Sequence, residues 1–185
     1  MRIGIYAFDD VTMFHLSVPQ LVFDEVAHQG LGTWETFLFS DGQHTIRTSE
    51  GYRVGDLAGL DEARKADAVV MPSWFFDGRP ASEAVRTTLT TAHEAGATIV
   101  GLCLGAIPVV DAGLLAGRAA VTHWQAFDLL AQRHPELDLD DSVLYIDHGD
   151  VLTSAGTASG LDACLHLVRS RLAARPRPTR WRAAW

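Results

Sequence analysis

Ala97-Thr98-Ile99-Val100-Gly101-Leu102-Cys103-Leu104-Gly105-Ala106 is the stretch that indicates the fold. Its first six residues are mostly apolar and too few for a stable helix, so they predict a β-strand buried on both faces. The strand runs into Cys103, and a helical pattern begins shortly afterwards. A cysteine on a sharp turn between a strand and a helix is the arrangement of a nucleophile elbow. A small, inert core cysteine is the alternative interpretation.

The nucleophile-elbow interpretation predicts a reactive thiol. Free backbone N–H groups at the start of the helix would stabilise an anion beside Cys103. Together with the helix dipole, they would lower the pKa of the thiol and favour the thiolate.

Strand and helix patterns alternate along the chain. Besides the strand before Cys103, the predicted strands are residues 2–8, 34–39, 68–71, 119–122, 143–147 and 151–154, the last two forming a hairpin. The predicted helices are residues 12–29, 81–95, 125–133 and 157–172, the first regular only from near Pro19. This alternation predicts an α/β fold with a mostly parallel sheet. Ligands bind beyond the carboxyl ends of such strands, where Cys103 would lie.

Length and composition predict one globular domain. The chain has 185 residues, of which 48% are hydrophobic and 21% charged, values typical of globular proteins with a full core. No signal-peptide pattern or apolar run of about 20 residues is present, so we expect no membrane association. Two cysteines, Cys103 and Cys164, form no disulfide framework, which favours the cytoplasm. We expect Cys164 to lie in the core.

The charge is distributed unevenly. Six of the 15 basic residues lie at positions 169–185, which leaves nine basic against 23 acidic residues in the body, a balance of −14. Such a body repels phosphate backbones, so we expect no direct nucleic-acid binding by this chain. We predict a domain at residues 1–172 and an Arg/Pro-rich tail at residues 173–185.

The sequence contains no metal-ligand spacing and no phosphate-binding loop, so we expect neither metal nor cofactor. His148 is interpreted as part of an exposed turn.

Three runs carry a resemblance to a known family: residues 101–106 (GLCLGA), 112–124 (AGLLAGRAAVTHW) and 150–162 (DVLTSAGTASGLD). In this order they resemble the ThiJ/PfpI superfamily, which has the class I glutamine amidotransferase-like fold. The likeness covers about residues 2–170. It is greatest to the branch that forms the N-terminal sensor domain of AraC-type transcriptional regulators. The resemblance implies a flavodoxin-like three-layer sandwich with a nucleophile elbow at Cys103, a small-molecule ligand and a homodimer.

The resemblance also implies the catalytic candidates Cys103, His123 and His15. Related folds bring a histidine downstream of the elbow close to the cysteine, and the matching residue is His123. Enzymes of this superfamily usually carry Glu or Asp near the position of His15. A histidine there could transfer protons or stabilise a thiolate, or it could simply cap the helix or lie at the surface.

Ser73, Trp74 and Leu104 are the candidate ligand-binding residues. Many family members have glycines after the proline that ends the third strand, and a backbone N–H there holds an oxyanion. In this chain Ser73 and Trp74 follow Pro72. We expect the bulky Trp74 side chain either to narrow the pocket beside Cys103 or, together with the neighbouring aromatic residues, to line a site for an apolar ligand. Leu104 stands where the isonitrile hydratase branch has a catalytic hydroxyl, which argues against hydration chemistry.

These features favour a sensing domain that binds a small molecule, or an oxidant at Cys103. The alternative is a Cys103-dependent enzyme, either a lyase or a hydrolase; isonitrile hydratases and glyoxalases are examples within the superfamily. His123 or His15 would then transfer protons. AraC-type regulators continue into two helix-turn-helix motifs, and we expect this chain to lack them. A separate sensor domain, a stand-alone relative and a frame-diverged product all stay open.

Overall fold

The computed structural model describes residues 1–173. Their strands are β1 (Arg2–Tyr6), β2 (Glu35–Phe39), β3 (Ile46–Arg47), β4 (Arg53–Val54), β5 (Ala68–Met71), β6 (Thr98–Gly101), β7 (Ala119–Ala120), β8 (Asp138–Leu139), β9 (Tyr145–Asp147) and β10 (Val151–Ser154). Their helices are α1 (Met13–His28), α2 (Leu60–Ala63), α3 (Glu83–Glu94), α4 (Ala106–Asp111), α5 (Phe127–Arg133) and α6 (Ser159–Ala173). The predicted tail, from residue 174 onwards, lies outside the described residues.

A six-stranded sheet in the order β2-β1-β5-β6-β10-β9 forms the centre. Neighbouring strands are parallel except at the edge, where β9 runs antiparallel to β10. Helices α1 and α6 pack together on one face, and α2, α3 and α4 cover the other. This is the predicted flavodoxin-like three-layer sandwich, and the predicted hairpin is also confirmed.

The central strands are buried because both faces of the sheet carry helices. Every residue of β5, β6 and β10 is buried, which explains why β5 is a continuous apolar run and why β6 does not alternate between polar and apolar residues. The burial of the strand before Cys103 is therefore confirmed. Cys164 on α6 is fully buried, as expected.

Helix α1 begins earlier than its proline suggests. It starts at Met13, where the Thr12 hydroxyl accepts the backbone N–H of His15 and caps the helix, and Pro19 lies inside it. The prediction that the regular helix begins near Pro19 is therefore wrong. Pro19 cannot donate the usual helical hydrogen bond to the carbonyl of His15, but the cap and the burial of one helix face, including Phe23, compensate.

Two segments after α4 differ from the prediction. The predicted strand 119–122 is only the two-residue β7, which pairs with β8 outside the main sheet. The predicted helix 125–133 is divided into a 3₁₀ turn at Trp124–Ala126 and helix α5.

His148 is half-buried, and its Nε2 lies 2.9 Å from the carbonyl oxygen of Ala119. It therefore links the hairpin to β7 and is not part of a freely exposed turn.

Within residues 1–173, no group of His, Cys, Asp and Glu side chains is arranged to hold a metal ion. No helix in the same range combines the length and the apolar character required to cross a membrane.

Candidate functional site

Cys103 lies at a tight turn between β6 and α4. Its φ of 56° is left-handed, an uncommon conformation for a residue with a side chain, and it opens a 3₁₀ turn that ends at Gly105. Its carbonyl oxygen accepts hydrogen bonds from the Thr122 hydroxyl at 3.0 Å and from the His123 backbone N–H at 3.4 Å. The segment after β7 therefore holds the turn in place.

Gly105 allows this turn to pack against the neighbouring strand. A Cβ atom at Gly105 would lie 1.9 Å from the carbonyl oxygen of Met71 on β5. No side chain fits at that distance, so the turn reaches its position only because residue 105 is glycine. The neighbouring Leu102 N–H donates a 2.9 Å hydrogen bond to the same carbonyl, which fixes the turn to β5.

The Cys103 thiol is buried and protonated. The residue is 4% exposed, and burial raises the pKa of the thiol. Hydrogen bonds from the Thr157 and Leu104 N–H groups, and from the Thr157 and Ser73 side chains, act in the opposite direction but do not outweigh burial in setting this pKa. The sequence interpretation predicted a lowered pKa. The difference arises because α4 is only six residues long and its start is covered by protein.

His15 lies in the first turn of α1. Its Nδ1 lies 2.6 Å from the Thr12 hydroxyl, and its Nε2 is buried without a hydrogen-bond partner within residues 1–173. Burial lowers the pKa of His15, the charge on His123 lowers it further, and the carboxylate of Glu50 opposes both effects. His15 is therefore a neutral imidazole near pH 7.

His123 comes from the opposite side of the site. Its Nδ1 accepts the backbone N–H of Gln125 at 3.3 Å, so the proton of the neutral ring is on Nε2. The ring packs on Gly156, where a Cβ would lie 2.5 Å from the imidazole Cδ2. Burial also lowers the pKa of His123.

The structure therefore brings the three catalytic candidates to one end of the sheet without linking them. His15 and His123 are close enough for each charge to affect the other, and the backbone of His123 contacts Cys103. Within the described part of the chain, no hydrogen bond joins either imidazole to the Cys103 side chain. Glu50 is the nearby carboxylate, and it accepts the Met13 N–H at the start of α1 at 3.1 Å.

The predicted ligand-binding residues lie in different environments. Ser73, Trp74 and Leu104 are all buried. The Ser73 side chain is directed toward the Cys103 thiol, whereas the Trp74 indole donates a 2.7 Å hydrogen bond to the Arg79 carbonyl. Trp74 lines a cavity of about 450 Å³, and neither Ser73 nor Leu104 is part of its wall.

Sequence interpretation missed the polar residues that surround Cys103. Ser154 is the last residue of β10, the strand beside β6, and its hydroxyl accepts the Cys103 N–H at 3.4 Å. Thr157 and Thr122 provide the hydrogen bonds described above. Their positions just beyond the carboxyl ends of strands were the available signal. Glu50 lies in the loop between β3 and β4 and carried no signal.

A cysteine at a strand-to-helix turn, at the carboxyl end of a parallel sheet, defines a class of α/β proteins with a flavodoxin-like fold. Residues 1–170 match the model of the DJ-1/PfpI family, and the chain belongs to that family. The resemblance to the ThiJ/PfpI superfamily is confirmed.

Similar proteins include transcriptional regulators. The HTH-type transcriptional regulator CdhR of Pseudomonas aeruginosa is 30% identical over 141 residues, which are 76% of this chain and 41% of CdhR. The structure of an AraC family transcriptional regulator from Pseudomonas putida superposes with a TM-score of 0.79 at 17% identity, covering 91% of each chain. Drosophila melanogaster DJ-1beta superposes with a TM-score of 0.77 at 13% identity, covering 91% of this chain and 89% of its own. The chain spans less than half the length of CdhR.

Proposed function

We propose that the chain is the ligand- or redox-sensing domain of an AraC-type transcriptional regulator. The observation that carries this proposal is its sequence similarity to HTH-type regulators over less than half of their length, within a family domain that covers residues 1–170. In such a protein, ligand binding or oxidation in this domain would alter DNA binding by a separate segment.

The chemistry at Cys103 favours sensing over catalysis. A nucleophilic cysteine reacts as the thiolate, but burial raises the pKa of the Cys103 thiol. A general base must reach the proton that it removes, and no hydrogen bond within residues 1–173 joins the Cys103 thiol to the imidazole of His15 or His123. His15 replaces the carboxylate expected in enzymes of the superfamily. In this state the Cys103 site is therefore poorly suited to catalysis.

A Cys103-dependent enzyme is the second candidate. Backbone N–H groups of Leu104 and Thr157 are directed at the sulfur, and such donors can stabilise a thiolate or an oxyanion. If a substrate changed the environment of the thiol, the strand-to-helix turn could serve as a nucleophile elbow. His123 or His15 would then move protons for a lyase or hydrolase reaction.

Thermal unfolding of the chain separates these functions. A ligand present at about 100 times its Kd adds about 2.7 kcal/mol of stability, which raises Tm by at least about 5 °C in a domain of this size. A screened small molecule with that effect, or hydrogen peroxide that oxidises Cys103 as detected by mass spectrometry, supports sensing. Cys164→Ala controls for the second thiol.

The enzyme candidate requires turnover. Isonitrile, glyoxal and amide panels should show no activity if the chain is a sensing domain. Turnover of any of them that is abolished by Cys103→Ser would overturn the sensing proposal. A screen without any stabilising ligand and without Cys103 oxidation would count against sensing as well.

We further propose that the protein is a cytoplasmic homodimer. Both cysteines are free, as expected in a reducing compartment. The exposed apolar side chains of α1, Phe14 and Leu21, provide a surface for a second copy, with Leu21 70% exposed. Sedimentation velocity should show a dimer that Leu21→Glu weakens, and a monomer at all concentrations would contradict the proposal.

A further inference from the structure

A cavity separate from the Cys103 thiol opens beyond the carboxyl ends of β1, β2 and β5. Its volume is about 450 Å³, which is in the range of small-molecule sites. We call it the Tyr6 cavity. Its wall combines aromatic rings, carboxylates and hydroxyls, and each of these three groups constrains the ligand differently.

Four aromatic rings form one side of the Tyr6 cavity. Tyr6 stacks on Trp74 with ring centroids 5.8 Å apart and an interplanar angle of 28°, and Phe8 lies 4.7 Å from Phe75. This side can pack against the apolar part of a ligand, and the face of the Phe75 ring already holds the Arg79 guanidinium 4.2 Å from its centroid.

The charge on the wall is negative. Asp9, Asp10 and Asp41 line the cavity, and Arg79 is the one cationic side chain among its lining residues. The Arg79 guanidinium is already paired with Asp77 at 2.7 Å. Within residues 1–173, none of the three lining carboxylates forms a salt bridge. A ligand that balances this wall carries a positive charge.

Two hydroxyls on the wall belong to residues that are largely enclosed. Tyr6 is 4% exposed and Ser40 is 1% exposed, both line the cavity, and neither side-chain oxygen has a hydrogen-bond partner among the described residues. Both oxygens are therefore available to a polar group of a ligand in the cavity.

We propose that the Tyr6 cavity binds a protonated primary amine attached to an apolar body. An ammonium group supplies three N–H donors for the two hydroxyl oxygens and for Asp41, whose Oδ2 also accepts the Ser82 hydroxyl at 2.9 Å, and its charge balances the wall. A quaternary ammonium has no N–H, and a neutral alcohol has no charge, so neither satisfies both requirements. The inference deepens the proposed function by naming a ligand class, but binding here does not require that the chain regulates transcription.

Calorimetric titration of the whole chain with 2-phenylethylamine at low ionic strength tests the proposal. We expect saturable one-to-one binding. We expect 2-phenylethanol and phenylethyltrimethylammonium to bind at least about tenfold more weakly. Equal affinity for all three compounds, or no binding of the amine, would overturn the proposal.

Variants locate the bound amine. Tyr6→Phe removes only the hydroxyl, and Asp41→Asn removes only the charge, so each should weaken amine binding about fivefold or more. Asp61→Asn, an exposed acidic residue on α2, should bind the amine like the original protein. Thermal unfolding of each variant verifies that it folds. Unchanged affinity in folded Tyr6→Phe and Asp41→Asn would overturn the site.

Amine binding in the Tyr6 cavity can be tested independently of the oxidation of Cys103. Cys103→Ala should bind the amine with unchanged affinity because Cys103 is not part of the cavity wall. Failure of amine binding would leave the oxidant response of Cys103 and the regulator assignment unaffected. Loss of amine binding in Cys103→Ala would contradict the separation of the two sites.

Discussion

The Thr122 hydroxyl donates a 3.0 Å hydrogen bond to the carbonyl oxygen of Cys103. Thr122 is buried, and the residue that it holds has a left-handed backbone. A residue with a side chain adopts that conformation at a cost of about 1–2 kcal/mol. The conformation therefore depends on hydrogen bonds from the surrounding protein, of which this is the shorter of the two to the Cys103 carbonyl.

Thr122→Val should destabilise the protein by about 1–3 kcal/mol because it leaves a buried carbonyl with a weaker partner. Urea unfolding monitored by circular dichroism measures the change. Thr87→Val, at an exposed position of α3, is the matched control and should change the free energy of unfolding by less than about 0.5 kcal/mol. Equal effects of the two substitutions would mean that the Thr122 hydroxyl does not support the turn.

Gly105→Ala should destabilise the protein by at least about 3 kcal/mol, since the new Cβ would meet the Met71 carbonyl and force the backbone of β5 or α4 to move. Gly59→Ala is the control because a Cβ at Gly59 meets no atom within 4 Å. Its effect should stay below about 1 kcal/mol. Thermal unfolding of both variants gives the comparison, and a Gly105→Ala protein as stable as Gly59→Ala would show that the turn can shift freely.

The Cys103 thiol should react slowly with iodoacetamide at pH 7. Burial raises its pKa, so the reaction rate should increase with pH beyond the ordinary thiol value of about 8.5. Thr157→Val and Ser73→Ala should each raise the apparent pKa further because they remove hydrogen bonds to the sulfur. Fast alkylation at neutral pH would show a thiolate and would favour the enzyme candidate.

The free energy of unfolding should decrease in alkaline solution because burial raises the pKa of the Cys103 thiol. The folded protein holds the Cys103 proton more tightly than the unfolded chain, so its contribution is fully present below the unfolded thiol pKa and is lost as the pH rises above it. Burial also raises the pKa of the Cys164 thiol, so Cys164 contributes to the same loss of stability at high pH. Cys103→Ala should therefore reduce, but not abolish, the decrease in unfolding free energy above about pH 8.5.

His15 and His123 should make the protein less stable in mild acid. Both pKa values are lowered in the folded state, so the unfolded chain binds more protons as the pH falls below about 6.5. Their contribution is present above that pH and is lost below it. The free energy of unfolding should decrease between pH 7.5 and 5.5, and His15→Gln and His123→Gln should each make this decrease smaller.

His28→Gln provides the control for the histidine variants. The His28 side chain lies on the same helix as His15 but is 75% exposed. This substitution therefore controls for the loss of an imidazole from the helix outside the site. A slope that is the same in all three variants would show that protonation of the histidine pair is not linked to folding.

The architecture could be predicted because it depends on local patterns. The runs at β5 and β6 are apolar on both faces, and that pattern belongs to a central parallel strand. The change from an apolar strand to a helix at Cys103 is likewise local, so the turn was visible in the sequence. Pro19 was misleading because the cap at Thr12 and the packing of α1 outweigh one missing hydrogen bond.

The site chemistry could be predicted only in part because it depends on burial. The sequence placed helix N–H groups beside Cys103, but it could not show that the thiol is almost completely enclosed. The Tyr6 cavity could not be predicted for a different reason. Tyr6, Ser40 and Trp74 lie at or just beyond the ends of three different strands, and only the sheet order brings them together. The functional roles of His15 and His123 stay predictions.

Asp111 should be the charged residue whose loss costs the most stability. Its carboxylate at the end of α4 is 4% exposed, and it accepts the Ala81 N–H at 2.8 Å. Its other partners are His134 at 3.1 Å and Arg133 at 3.4 Å. It therefore ties α4 to the segment before α3 and to the end of α5, a connection that no sequence pattern indicated.

Asp111→Ala should lower the free energy of unfolding by about 3 kcal/mol, because it leaves a buried N–H and a partly buried guanidinium without their acceptor. Asp61→Ala removes a carboxylate that is 84% exposed and pairs with Arg64 at 2.8 Å, and exposed pairs contribute less than about 1 kcal/mol. Urea unfolding of the two variants should therefore differ by about 2 kcal/mol. Equal losses would mean that burial does not strengthen the Asp111 contacts.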